Sequence, residues 1–166
     1  RALHQVSAYA AEYGLTLGQR ACAEKSNEIT AIEELLPSLA LDGAIVTIDA
    51  MGCQTAIAEQ ITEGGGDYVL AVKDNQPQLA NALRDFFSTL NAPGHCRRQV
   101  SLHETLDKGH GRIETRCCIA VGELDWLDLL GLKARWSKLA SVACIESTRE
   151  IAGRVETEKR YVISSL

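Results

Sequence analysis

The spacing of apolar positions changes along this chain, and each change marks a different kind of element. Residues 3–9 alternate, with Leu3, Gln5 and Ser7 on one side and His4, Val6 and Ala8 on the other, as in a strand. A second strand over residues 15–22 follows the Tyr13-Gly14 turn, so the two predict a hairpin. Ile29, Ile32, Leu35 and Leu36 then fall on one helical face. Ser26 or Asn27 is placed to cap that helix, Glu28 complements its dipole, and Pro37 ends it.

Asp42-Gly43 is a turn signal, and the run 44–48 predicts a buried strand that stops at Asp49. A short helix over 53–62 ends at Gly64-Gly65-Gly66. Residues 68–72 predict a second apolar strand ending at Lys73. A helix follows, capped by Asn75 or Gln76, with Pro77 near its first position and Leu79, Leu83, Phe86, Phe87 and Leu90 as its core stripe. Helix and strand alternate from 27 to 90, the signature of parallel strands joined by crossover helices. After Pro93-Gly94 the character turns to strands, at 99–102, 112–121, 139–147 and 154–164, with Ala152-Gly153 as a hairpin turn. The expected class is α/β, with a β-rich insertion over 95–160 inside a single domain.

The chain has 166 residues, enough for one domain with a core, and its 46% hydrophobic and 23% charged content is that of a soluble globular protein. No apolar run approaches the ~20 residues of a membrane span. The start, Arg1-Ala2-Leu3-His4, carries neither a signal-peptide core nor an initiator Met, so a fragment or processed product is expected. Six cysteines without a C-x-x-C pair point to reduced thiols in a cytosol. Cys96, His103, His110 and Cys117 recur every seven residues, a spacing unlike the close ligand pairs of zinc sites.

The net charge of −5 argues against gripping nucleic acid by bulk electrostatics. Between residues 95 and 116, however, Arg97, Arg98, Lys108, Arg112 and Arg116 outnumber Glu104, Asp107 and Glu114, which allows a local basic face. Asp49 stands where open α/β sheets place their sites, at the carboxyl end of a strand, although an Asp there also suits a helix cap. Lys73, Asn75 and Gln76 follow the neighbouring strand, where a Lys can meet a phosphate and amides can donate to backbone oxygens, or serve as cap and solvated surface. Arg112 and Arg116 are placed to contribute to the basic face, or to form a salt-bridged surface strand. Trp126 and Trp136 are expected as core anchors.

An ordered set of motifs resembles one family. It comprises Lys25-Ser26-Asn27-Glu28-Ile29, Thr47-Ile48-Asp49-Ala50-Met51 with Gln54, and Asp67-Tyr68-Val69-Leu70-Ala71-Val72-Lys73 with Asn75-Gln76. It continues with His110-Gly111-Arg112, Glu114 and Arg116, and closes with Tyr161-Val162-Ile163-Ser164-Ser165-Leu166. Together these are similar to the H-repeat-associated, ISAs-type DDE transposases of bacterial insertion sequences. The resemblance implies a ribonuclease-H-like mixed sheet with flanking helices and an acidic triad holding Mg²⁺ or Mn²⁺ for DNA cleavage and strand transfer.

Asp49 matches the second acid of that triad. The first Asp and the final Glu would fall outside these 166 residues, so the fold is expected to be partial and the chain inactive alone. Glu114, in a β-like stretch, is expected as a surface strand residue rather than as a substitute ligand. Without the strand that carries the first Asp, residues 3–9 and 44–48 must meet directly, leave a gap or borrow a strand from another copy, so self-association is expected, as a strand-mediated dimer or an aggregation tendency. DNA is the implied partner, without a membrane, and the cytoplasm the implied location. Two other classes stay open: a non-catalytic remnant serving as an oligomerisation or DNA-binding module, and a ribonuclease-H-type nuclease.

Overall fold

The structure, a computed structural model, describes residues 4–22, 28–90, 99–109, 112–151 and 153–166. Among the described residues the chain forms eight strands and four α-helices in a mixed α/β arrangement. Strands β1 (His4–Ala10) and β2 (Leu15–Cys22) make the expected hairpin, which is a two-stranded sheet of its own. Helix α1 (Glu28–Leu35) packs against both strands and passes into a 3₁₀ turn at Leu36–Ser38, where Pro37 sits in the first turn. The motif at 25–27, including the cap at Ser26 or Asn27, lies outside the described residues.

The main sheet has six strands in the order β3-β4-β8-β7-β6-β5. β3 (Ile45–Ile48) and β4 (Asp67–Val72) run parallel, joined by helix α2 (Thr55–Glu63) as the crossover. Gly66 brings the crossover into the sheet, because a Cβ there would lie 2.8 Å from the Leu41 carbonyl oxygen. Helix α3 (Pro77–Thr89) leads to four antiparallel strands: β5 (Val100–Gly109), β6 (Arg112–Val121), β7 (Ser141–Ile151) and β8 (Arg154–Ser164). A short helix α4 (Asp125–Leu129), without a counterpart in the sequence pattern, sits between β6 and β7. The β-rich half extends the same sheet, since the end of β8 pairs with β4 from Tyr161 to Ser164.

Residues directly opposite in a ladder share a face. Leu70, Ile163, Val142 and Val121 lie in one such row, and all are buried with residues of α2, α3 and α4 in a single core. Trp136 is in that core, and Trp126 stacks on Phe86 with ring centroids 4.2 Å apart, so both tryptophans are the expected anchors. Tyr68 is fully buried and donates its hydroxyl to the Ser137 carbonyl at 2.8 Å.

The strand ending at Asp49 departs from expectation. It was expected to be buried on both faces, but β3 alternates, and Ile45 is 59% exposed. The cause is topology: β3 ends the sheet, and its outer edge has no ladder partner among the described residues. The β1–β2 hairpin neither joins it nor closes the gap.

Candidate functional site

Asp49 follows β3 at the carboxyl edge of the parallel pair and is exposed. Its Oδ1 accepts the Met51 N–H at 3.0 Å, capping the 3₁₀ turn Ala50–Gly52. The capping role is therefore real, yet one oxygen carries it and the second has no partner among the described residues. Gly52 lets this turn fold back on the strand, because a Cβ at that position would collide with Cγ2 of Ile48.

Asn75 and Gln76 reach the same loop. The Asn75 amide donates to the Ala50 carbonyl at 2.5 Å, and the Gln76 amide donates to the Cys53 carbonyl at 3.0 Å. Neither caps α3 with its side chain: Gln76 occupies the cap position without a side-chain bond. Instead they tie the loop after β4 to the loop after β3, fixing the backbone on either side of the Asp49 turn. Their side-chain donors bond main chain of this protein, which gives both a positioning role.

Lys73 is exposed in a shallow pocket shared with Asp74, Arg84, Lys159, Arg160 and Tyr161. Arg84 pairs with Asp74 at 2.7 Å, Lys159 with Glu146 at 3.0 Å and Arg160 with Glu158 at 2.9 Å. The Arg160 guanidinium holds the Glu158 carboxyl below its ordinary value. Arg84, Lys159 and Arg160 were not legible as site residues. Arg84 follows in α3, and the antiparallel return of β8 beside β4 brings in Lys159 and Arg160 from far along the chain.

Glu114 is not the surface strand residue expected. Its side chain is only 8% exposed, covered by arginines on its own and the next strand. Arg116 bonds it at 2.5 Å, Arg112 lies 3.9 Å away and Arg149, its cross-strand partner on β7, 4.0 Å away. The three arginines stay about half exposed. Alternation on β6 explains the cluster: residues 112, 114 and 116 share one face, and the ladder brings Arg149 to the same place. Four inter-strand steps, about 19 Å at ~4.8 Å each, separate β6 from β3. Glu114 therefore does not join Asp49.

The described members of the spaced Cys/His set do not gather either. His103 opposes Cys118 and Glu104 opposes Cys117, so His103 and Cys117 point to opposite faces. Cys96 and His110 lie outside the described residues. Cys22, Cys53, Cys117, Cys118 and Cys144 are free thiols, and burial pushes the Cys53 thiol up to about 12. Among the described residues no group of three His, Cys, Asp or Glu side chains could hold a metal ion, and no helix is long and apolar enough to cross a membrane. A single exposed carboxylate does not by itself fit a hard divalent cation, which requires several oxygen ligands placed together.

Residues 1–122 match the family described as Transposase DDE domain. Over 165 residues the chain is 46% identical to the "Uncharacterized protein in dhlA 3'region" of Xanthobacter autotrophicus, covering 99% of this chain and 54% of that protein. Over 170 residues it is 41% identical to the "H repeat-associated putative transposase YhhI" of Escherichia coli (strain K12), covering 99% of this chain and 43% of that protein. The chain thus spans about half the length of the curated relatives it matches. No solved structure matches it.

Proposed function

Because the chain belongs to the DDE transposase family, we propose that it forms the middle of a ribonuclease-H-like catalytic domain. That domain cleaves and joins the DNA ends of an insertion sequence. The observation that carries this reading is the place of Asp49: an exposed carboxylate at the carboxyl edge of a parallel strand pair, with one oxygen uncommitted. Brace bonds from Asn75 and Gln76 hold its loop, as a metal ligand demands. Among the described residues the β1–β2 hairpin pairs with no strand of the main sheet, which supports the fold assignment, because a ribonuclease-H-like sheet has a further strand between the hairpin and β3.

The DDE transposase family uses divalent metal. Such an ion, when bound, stabilises the oxygens of an in-line phosphoryl displacement. This chain's own residues supply one carboxylate toward it, and this reading assigns the remaining ligands to the part of the relatives' length that the chain does not span. The isolated chain is accordingly inactive. Lys73, with Arg84, Lys159 and Arg160 around it, meets the DNA backbone beside Asp49. Arg112 and Arg116 meet it further out on the sheet extension. The protein works in the cytoplasm, where the DNA is, and open sheet edges favour self-association.

Asp49→Asn in the full-length protein tests the ligand role. Asn caps a turn about as well as Asp, so the melting temperature stays within about 2 °C while Mg²⁺-dependent end cleavage is lost. Retained cleavage removes Asp49 from the metal site. A second reading, a non-catalytic module, rests on the lack of a three-ligand group among the described residues. Full-length protein that binds insertion-sequence ends but never cleaves them with Mg²⁺ or Mn²⁺ selects it.

A further inference from the structure

β5 is the other end of the six-stranded sheet, and it differs from β3 in length and chemistry. All ten of its residues are exposed and pair with β6, and among the described residues its other edge has no ladder partner. Val100, Leu102 and Leu106 are 43%, 60% and 59% exposed and share one face with Glu104 and Lys108. A strand edge of this length presents a row of unpaired N–H and C=O groups, a template for another strand. Charges on such an edge ordinarily keep strands apart. Here their order makes the strand complementary to itself.

We infer that β5 pairs antiparallel with β5 of a second copy of this chain, in the register centred on Leu106. Two copies joined this way are related by a two-fold axis perpendicular to the sheet, so opposed residues share a face and their numbers add to an even value. Centred on Leu106, the register sets Glu104 against the partner's Lys108 and Lys108 against the partner's Glu104, with Leu106 against its own copy. Asp107 meets Thr105 and His103 meets Gly109, so no like charges oppose. Centring on Glu104 instead sets two Glu104 carboxylates face to face. Centring on Thr105 sets Glu104 against Leu106 and Lys108 against Leu102. Of these three registers the Leu106-centred one alone sets Glu104 against Lys108; it pairs residues 103–109, and its apolar match is Leu106 with its own copy. This pairing does not depend on the transposase reading.

The test is sedimentation equilibrium of the chain over a concentration series. Glu104→Lys opposes two lysines, and Lys108→Glu opposes two glutamates. Each raises the dimer dissociation constant by about tenfold or more, whereas the double exchange returns it to within about threefold of the parent. Because both positions are exposed, the monomer fold is unaffected, which circular dichroism checks. A chain that stays monomeric at all concentrations overturns the inference. So does a dimer that ignores both single exchanges but is lost with Thr47→Pro, since that places the contact on β3.

Discussion

The side-chain amide of Asn75 donates to the carbonyl oxygen of Ala50, the residue next to Asp49. Twenty-five positions apart in sequence, the two loops at the carboxyl edge of β3 and β4 are thus locked to one another. Asn75→Ala removes the donor and leaves the carbonyl to water, at a cost of about 1 kcal/mol. Asn75→Asp costs more, because it sets a carboxylate against a carbonyl oxygen. Urea unfolding of the chain measures both. In the full-length transposase each lowers end cleavage at subsaturating Mg²⁺ and recovers part of it at high Mg²⁺, as expected of a residue that positions Asp49.

Gly52 sits under the same turn. A methyl group there collides with Ile48 Cγ2 and comes within 3.2 Å of Ile32 Cδ1. Gly52→Ala therefore forces β3, the Asp49 turn or α1 to shift, with a loss of about 1–3 kcal/mol by overpacking. Ile48→Val removes the Cδ1 methyl but leaves Cγ2 in place, so it does not rescue the variant. Ile48→Ala removes the clash but costs about 2–5 kcal/mol in lost packing, so the effect of Gly52→Ala is smaller in the Ile48→Ala background than in the parent. Thermal unfolding of each double variant against its own Ile48 single variant measures this.

The elements themselves were largely legible because period and turn chemistry are local. Residues 15–22, 112–121 and 154–164 form strands with the bounds read from the sequence. Pro37 and Gly64 close their helices where backbone sterics require. What stayed hidden depends on sheet order. β3 carries an apolar sequence, and only its terminal place in the sheet exposes Ile45. Glu114 reads as an ordinary polar position between two arginines. Its burial arises from Arg149, brought across by a ladder that no local pattern announces. Asn75 and Gln76 likewise look like helix caps until the parallel pairing puts the Ala50 and Cys53 carbonyls within reach.

The Glu114 cluster separates two kinds of charge. Arg112, Arg116 and Arg149 hold the carboxylate with one side of their guanidinium groups and are half exposed on the other. Glu114→Ala leaves three neighbouring cations without their shared anion, and they relax into water, at a cost of about 1–3 kcal/mol. Arg112→Ala and Arg116→Ala each weaken binding of the full-length protein to duplex DNA uniformly across sequences. Each also reduces the slope of log affinity against log salt by about 1. An unchanged slope removes that arginine from the DNA contact.

Alkaline pH exposes the cost of burying Cys53 beside Tyr68. Burial pushes the Cys53 thiol from 9.0 to about 12. The same effect, with Cys53 nearby, holds the Tyr68 hydroxyl well above its ordinary value. Below pH 9 both groups are protonated in the folded and unfolded chain alike, so they leave stability independent of pH. Above pH 9 the unfolded chain releases the Cys53 proton while the folded chain keeps it. The unfolded state then binds fewer protons, and stability falls as pH rises. Each such group contributes a slope of up to about 1.4 kcal/mol per pH unit, and Tyr68 joins from pH 10. Cys144, also raised by burial, adds to the same trend. Cys53→Ala lowers stability at pH 8 by opening a small cavity, but it removes one proton from the slope between pH 9 and 10. Urea midpoints at pH 8, 9 and 10 for parent and variant measure that difference in slope. Parallel lines show that the Cys53 thiol ionises as readily in the folded chain as in the unfolded one.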